Sequence, residues 1–204
     1  MKSKVEDIFP TSIHRSRIDR ILTKEEIDIV SNCEIQNNIS NSTSKNTYIL
    51  EEKAMKDIKK YLTAAIEDYY TCILGVDLKE DGLKPYITQS WLNFNLKGQV
   101  HHEHYHLNSI LSGVFFIQAD TNLDRITFLR DEKPFYVLKT RRWNKGNATN
   151  WKIPVHTGET VIFPSHLKHK VEPHKGDYTR ISLAFNSFMR GNLGDNRSLT
   201  ELKL

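Results

Sequence analysis

The sequence predicts a mainly β protein with flanking α-helices, an α+β arrangement built on a jelly roll. Three observations predict it. Apolar residues recurring at steps of three and four are confined to the first third of the chain. From about Tyr86 onward, short runs of β-branched and aromatic residues alternate with turn signals. The length of 204 residues suits one domain with a sizeable core. Helices followed by many short strands at near-regular spacing fit a sandwich or jelly roll with helices packed on it. The expected organisation is a single domain over 1–204, with helical support in 1–80, the β core in 85–188 and a polar tail in 189–204.

Residues 1–22 read as irregular chain or an edge strand. IFPTSIHRSRID alternates loosely, and Pro10 limits ladder pairing. Thr23-Lys24-Glu25-Glu26 has the form of a capping box, which predicts a helix from there to about Cys33. IQNNISNSTSKN, rich in Asn and Ser, reads as a loop. Leu50, Ala54, Met55, Ile58, Tyr61, Leu62, Ala65, Ile66, Tyr69 and Ile73 form one apolar stripe, so the spacing predicts a helix over 50–74. Gly75 ends it. Strands are expected at 86–95, 100–106, 110–118, 125–129, 134–139, 151–154, 159–163, 169–173 and 178–188, with glycines among them. KPFYVLKTRRWNKGNATNWK (133–152) interleaves basic residues with Trp143 and Trp151. A long insertion of this kind is expected to form a lid, or a surface on which nucleic acid stacks, and the lid is preferred.

Charge and composition exclude some classes. The net charge is +4, and both signs are mixed along the chain, which is compatible with a nucleic-acid partner without indicating one. No apolar run approaches the ~20 residues that span a bilayer. MKSKVEDIFP carries acids and lacks an apolar stretch, so no signal peptide is expected. Cys33 and Cys72 show no metal spacing and read as reduced thiols of a cytosolic protein.

The chemistry concentrates in GQVHHEHYHLNS, which holds His101, His102, His104 and His106. On a strand, side chains alternate faces, so His102, His104 and His106 share one face while His101, Glu103 and Tyr105 share the other. Two imidazoles at i and i+2 bind one metal ion, and a third ligand must come from elsewhere. His169, delivered by the apolar strand in HTGETVIFPSHLKHKVEPH, is the first candidate, with His166 and His174 as alternatives. The pair itself is His104 with His106, or His102 with His104. Glu103 with His101 serves only if the register is reversed. Imidazoles suit zinc, iron, copper or nickel, and three protein ligands leave positions open for catalysis. In YTRISLAFN, Arg180, Ser182 and Ala184 point to one face and Ile181, Leu183 and Phe185 to the other. A guanidinium in so apolar a segment wants a bidentate carboxylate, either internal or from a bound small acid.

H-x-H, a distal histidine and R-x-S on the next strand together resemble the Fe(II)- and 2-oxoglutarate-dependent oxygenases. More narrowly, the chain is similar to a prolyl-hydroxylase-like group of such oxygenases found in bacteria and in phages of marine bacteria. The segments that carry the likeness are IFPTSIH, TQSWLNFNLKGQ, HYHLNSILSGVFFI, GETVIFPSHLKHKVEPH, RISLAFN and the terminal SLTELKL; it is weakest over 130–152. The resemblance implies a double-stranded β-helix, with iron held by His104, His106 and His169. It implies that Arg180 pairs with the far carboxylate of 2-oxoglutarate and that Ser182 adds a hydrogen bond. Asn95 and Asn93, on a preceding strand, are candidates for contact with cosubstrate or substrate, with Tyr86 and Gln89 behind them. His101 is then expected to point away, and His102 to stand behind the ligands or on the substrate side.

The implied cofactors are Fe(II), 2-oxoglutarate and dioxygen, with ascorbate as a candidate accessory. The implied reaction is hydroxylation of an unactivated C–H bond, of peptidyl proline or another peptide side chain, so the expected partner is a peptide or protein. A homodimer is compatible with all of this, and the expected compartment is a cytoplasm, the host's if a phage encodes the chain. Most of the superfamily places Asp where His106 stands, so this site is one charge more positive. The alternatives are a cupin-type metal enzyme that does not use 2-oxoglutarate, and a non-catalytic jelly-roll binding protein with a metal site.

Overall fold

A computed structural model of the chain describes residues 2–131 and 138–204. Its strands in chain order are β1 (His14–Arg17), β2 (Ile35–Asn37), β3 (Ser42–Ser44), β4 (Lys84–Asn95), β5 (His101–His104), β6 (Leu111–Gln118) and β7 (Arg125–Leu129). They continue with β8 (Asn150–Pro154), β9 (Glu159–Pro164), β10 (His169–Val171), β11 (Arg180–Arg190), β12 (Asn192–Leu193) and β13 (Leu202–Lys203). The helices are α1 (Lys24–Asn32) and α2 (Lys56–Asp68).

The large sheet has the order β1-β9-β6-β11-β4-β3-β2, and the small one β5-β10-β7-β8. From β4 to β11 the chain passes between them repeatedly, and the observed ladders are antiparallel. This is the double-stranded β-helix, or jelly roll. Residues 134–137 of the strand expected at 134–139 lie outside the described residues.

Two cores follow from strand alternation. On the outer face of the large sheet, Leu92, Leu111, Phe115, Leu183 and Phe185 meet Ile58, Leu62, Ala65 and Ile66 of α2, all buried. Burial stabilises each large apolar side chain by about 1.5–3 kcal/mol. Between the sheets, Phe116, Ile126, Phe128, Val161 and Phe163 form a second cluster. The capping box at Thr23 is present. Thr23 Oγ1 accepts from the Glu26 N–H at 3.3 Å, and Glu26 Oε2 accepts from the Thr23 N–H at 2.8 Å.

Three segments differ from the sequence reading. The helix expected over 50–74 opens with two 3-10 turns, Ile49–Glu51 and Lys53–Met55, and closes in a π turn at Tyr69–Ile73. The loop expected at 35–46 is instead the β2–β3 hairpin, which joins the sheet because β3 pairs with β4 and the Ser44 hydroxyl accepts the Leu92 N–H. The N-terminal third therefore supplies strands at both edges of the large sheet as well as helices. The polar tail likewise folds back, as the β12–β13 hairpin.

Gly113 lies mid-strand on β6, paired with Phe185 of β11. A Cβ there would stand 2.2 Å from Phe185 Cζ, with two further ring atoms under 3 Å. Overpacking of this kind costs about 1–3 kcal/mol. Gly113→Ala is expected to lower the urea midpoint by that amount with an unchanged m-value; an unaltered midpoint would mean that the Phe185 ring is free to withdraw.

Candidate metal centre

The inner face of the large sheet and the small sheet enclose one cleft. Period-two alternation on β4 turns Trp91, Asn93 and Asn95 into it, while Leu92 and Phe94 face the helices. On β11 the same rule turns Arg180, Ser182 and Ala184 inward and Ile181, Leu183 and Phe185 outward. The register is direct: Arg180 stands opposite Asn95, Ser182 opposite Asn93, and Ala184 opposite Trp91. Val114, Phe116, Ile126 and Val171 supply apolar wall.

At one end of the cleft, ring nitrogens of His104, His106 and His169 all lie within 4.8 Å of one another. His104 and His169 are direct partners across the β5–β10 ladder, with ring centroids 4.2 Å apart. His106 lies beyond the end of β5. Its backbone N–H donates to the Ser165 carbonyl at 2.9 Å, and Ser165 returns its own N–H to Ile110 at 3.0 Å. The Ser165 hydroxyl bonds to those of Ser109 and Ser112 at 2.7 and 2.8 Å, which clasps the His106 loop to the β9–β10 turn.

The rings are prepared for coordination. His104 Nδ1 donates to the His102 carbonyl at 2.8 Å and His169 Nδ1 to the Leu167 carbonyl at 3.0 Å, which leaves each Nε2 lone pair free. Burial, with the neighbouring imidazoles, pushes His169 down to about 2 and His106 to about 4. Burial also lowers His104. All three are neutral at physiological pH, the form that binds metal. Three convergent neutral nitrogens fit a divalent transition metal and leave other coordination positions open.

Farther along the cleft, Arg180 is 3 % exposed, and its guanidinium makes no hydrogen bond among the described residues. Its nearest carboxylate, Asp124, is 3.7 Å away and already engaged. Asp124 accepts from the Tyr178 hydroxyl and from the Asp120 N–H at 2.9 Å, and His174 Nδ1 lies 3.0 Å from it. Burial, then the bond to Asp124, raises Tyr178, so the phenol keeps its proton and donates. Arg180 thus has a nearby counter-charge while its fork of N–H donors faces the cleft unspent. The Ser182 hydroxyl shares that face. Asn95 donates its amide to the Val100 carbonyl at 3.1 Å.

The structure brings together His104, His106, His169, Arg180, Ser182, Asn93 and Asn95. His166 is exposed, and His174 sits beside Asp124 instead of at the metal end. Gln89 is exposed, and Tyr86 lies under the Arg190 guanidinium, so neither lines the cleft. The described part of the expected lid, 138–152, contributes no lining residue; its Trp151 is on β8, at the edge of the small sheet.

The expected faces of His101 and His102 are exchanged: His101 lines the cleft, and His102 does not. The cause is a bulge, since Val171 and His169 on β10 oppose His101 and His104 on β5, three steps against two. The sequence reading also missed Asp124. Its only signal is an acid just before an apolar strand, which does not reveal its neighbour.

Comparison with known proteins agrees with this geometry. Residues 89–186, from β4 to β11, match the family model described as "Putative 2OG-Fe(II) oxygenase". An oxidoreductase of the 2OG-Fe(II) oxygenase family from Burkholderia pseudomallei superposes with a TM-score of 0.56 at 11% identity, over 80% of this chain and 76% of that one. HygX from Streptomyces hygroscopicus, solved with nickel, 2-oxoglutarate and hygromycin B, gives 0.52 at 11% identity, over 87% and 82%. The viral collagen prolyl hydroxylase of Paramecium Bursaria Chlorella virus-1, in its 2OG complex, gives 0.51 at 16% identity, over 85% and 95%. These likenesses are of fold. No curated protein matches the chain in sequence.

Proposed function

Residues 89–186 make this chain a member of the 2OG-Fe(II) oxygenases, and from that premise we propose that it hydroxylates an unactivated C–H bond of a peptide, with prolyl side chains as the first class to test. The observation that carries the reading is the pairing of two ends of one cleft: three neutral imidazoles at one, an unspent buried guanidinium at the other. A short dicarboxylate with a chelating 2-oxo acid group is the ligand class that answers both. The fold neighbours that carry 2-oxoglutarate, HygX and the viral prolyl hydroxylase, support the choice.

His104, His106 and His169 would hold the iron. Arg180 would take the far carboxylate with two parallel N–H donors, and the Ser182 hydroxyl would add a third. Trp91, Val114, Phe116 and Ala184 add apolar surface to the cleft, which strengthens those polar contacts. Iron(II), when bound, supplies the redox chemistry by which 2-oxoglutarate, dioxygen and R–H become succinate, carbon dioxide and R–OH. Three histidines carry no charge, so both positive charges of a divalent ion and that of Arg180 would face the dianionic cosubstrate, whereas a carboxylate ligand would cancel one of them. No helix among the described residues is long and apolar enough to cross a membrane, and we propose a cytoplasmic setting and a peptide or protein partner.

Titrating the Fe(II)-loaded protein with 2-oxoglutarate in the absence of oxygen tests this reading. The expected result is a visible charge-transfer band that saturates with the cosubstrate. No band from a protein that has taken up iron would overturn it, leaving a cupin-type metal enzyme or a binding module. Admitting oxygen with proline-containing peptides then tests the substrate class, by succinate release and by the gain of one oxygen atom in the peptide.

A further inference from the structure

His101 has no part in the three-histidine cluster, yet it is on the same cleft wall. Three contacts fix where it stands. Its ring centroid is 4.6 Å from that of His104. Its partner across the ladder is Val171, which also lines the cleft. Its neighbour Val100 accepts the amide of Asn95, and Asn95 is the register partner of Arg180. His101 is therefore at the metal end by its ring and tied toward the Arg180 end by its backbone. Among the described residues its ring makes no hydrogen bond, and it stacks on His102 at 5.1 Å with nearly parallel planes.

The His101 imidazole has a ring N–H donor to offer. The three histidines, His101 and Arg180 all line one cleft.

We propose that His101 is a cosubstrate-binding residue, whose ring N–H donates a hydrogen bond to an oxygen of the dicarboxylate held between the metal and Arg180. The inference rests on the 2-oxoglutarate reading above. It assigns the fourth histidine of the cleft a contact with the cosubstrate that the metal does not need. The β5 bulge is what makes it available, since regular alternation would turn this ring away.

The test is calorimetric titration of 2-oxoglutarate into Ni(II)-loaded protein, with nickel content measured in parallel. His101→Ala and His101→Phe are expected to weaken 2-oxoglutarate about tenfold, the loss of one good hydrogen bond. Nickel content should stay at the wild-type level. Phe keeps a stacking ring, so its loss isolates the donor, and His101→Asn, which keeps an N–H, should recover part of the affinity. Wild-type affinity in the Ala and Phe variants overturns the inference while leaving the 2-oxoglutarate reading intact. Loss of nickel in His101→Asn overturns it too, because His101 would then belong to the metal set. Wild-type protein that binds nickel but not 2-oxoglutarate overturns the reading itself, and the inference with it.

Discussion

Arg180→Ala is expected to weaken 2-oxoglutarate binding by at least about a hundredfold while leaving the metal content unchanged. The magnitude follows from burial. A carboxylate paired with a buried, charged hydrogen-bond donor loses about 2–5 kcal/mol when the donor is truncated, and each 1.4 kcal/mol is tenfold. At 3 % exposure Arg180 has little water to stand in for it. Arg180→Lys separates charge from shape, because lysine keeps the cation but lacks the two-pronged fork. Its expected loss is smaller, about tenfold. Stability should fall in the Ala variant as well, since Asp124 loses the cation beside it. Asp124 still has the Tyr178 hydroxyl, the Asp120 N–H and His174, so folding should survive. Calorimetry on the metal-loaded variants measures the affinity, and an unchanged dissociation constant for Arg180→Ala would remove the basis for 2-oxoglutarate as the ligand.

The face of Arg180 was legible because β11 is a long strand buried on both sides. Charged and hydroxyl groups at 180 and 182, alternating with Ile181, Leu183 and Phe185, leave one register consistent with an apolar outer face. The helix cap at Thr23 was legible for a similar reason, since the capping box is local chemistry. What could not be read is what depends on distant chain. The β5 bulge has no glycine or proline to announce it, and one extra residue was enough to exchange His101 with His102. The β2–β3 segment is polar in composition, yet Ser44 is 1 % exposed because its hydroxyl serves backbone groups of β4 and its own turn. Asp124 beside Arg180 is a tertiary contact between chain segments far apart in sequence. A single sequence carries alternation and caps, and it is silent on where two segments meet.

The metal end makes the second large prediction. His169→Ala is expected to abolish stoichiometric metal binding, with affinity for Fe(II), Co(II) or Ni(II) falling by more than about a hundredfold. Losing only an outer hydrogen-bond partner of a ligand costs about 10–100-fold, and here a ligand itself is gone. His169 is the most buried of the three, at 4 % exposed, with its ring edge-on to Phe163 at 4.6 Å. Among the described residues the group with metal-ligand spacing is His104, His106 and His169, and the two imidazoles left would define no closed face. His166→Ala is the matched control, because that histidine is exposed and outside the cluster; it should bind metal as the wild type does. His106→Asp should also keep the metal, since a carboxylate is a competent ligand for the same ions. It adds a negative charge next to the cosubstrate, so the weakening should appear in 2-oxoglutarate affinity instead. Measuring metal content and 2-oxoglutarate affinity on the same three variants distinguishes the two roles. Full metal content in His169→Ala would mean that the three rings converge without coordinating, and the cluster would then be a packing feature of the two sheets.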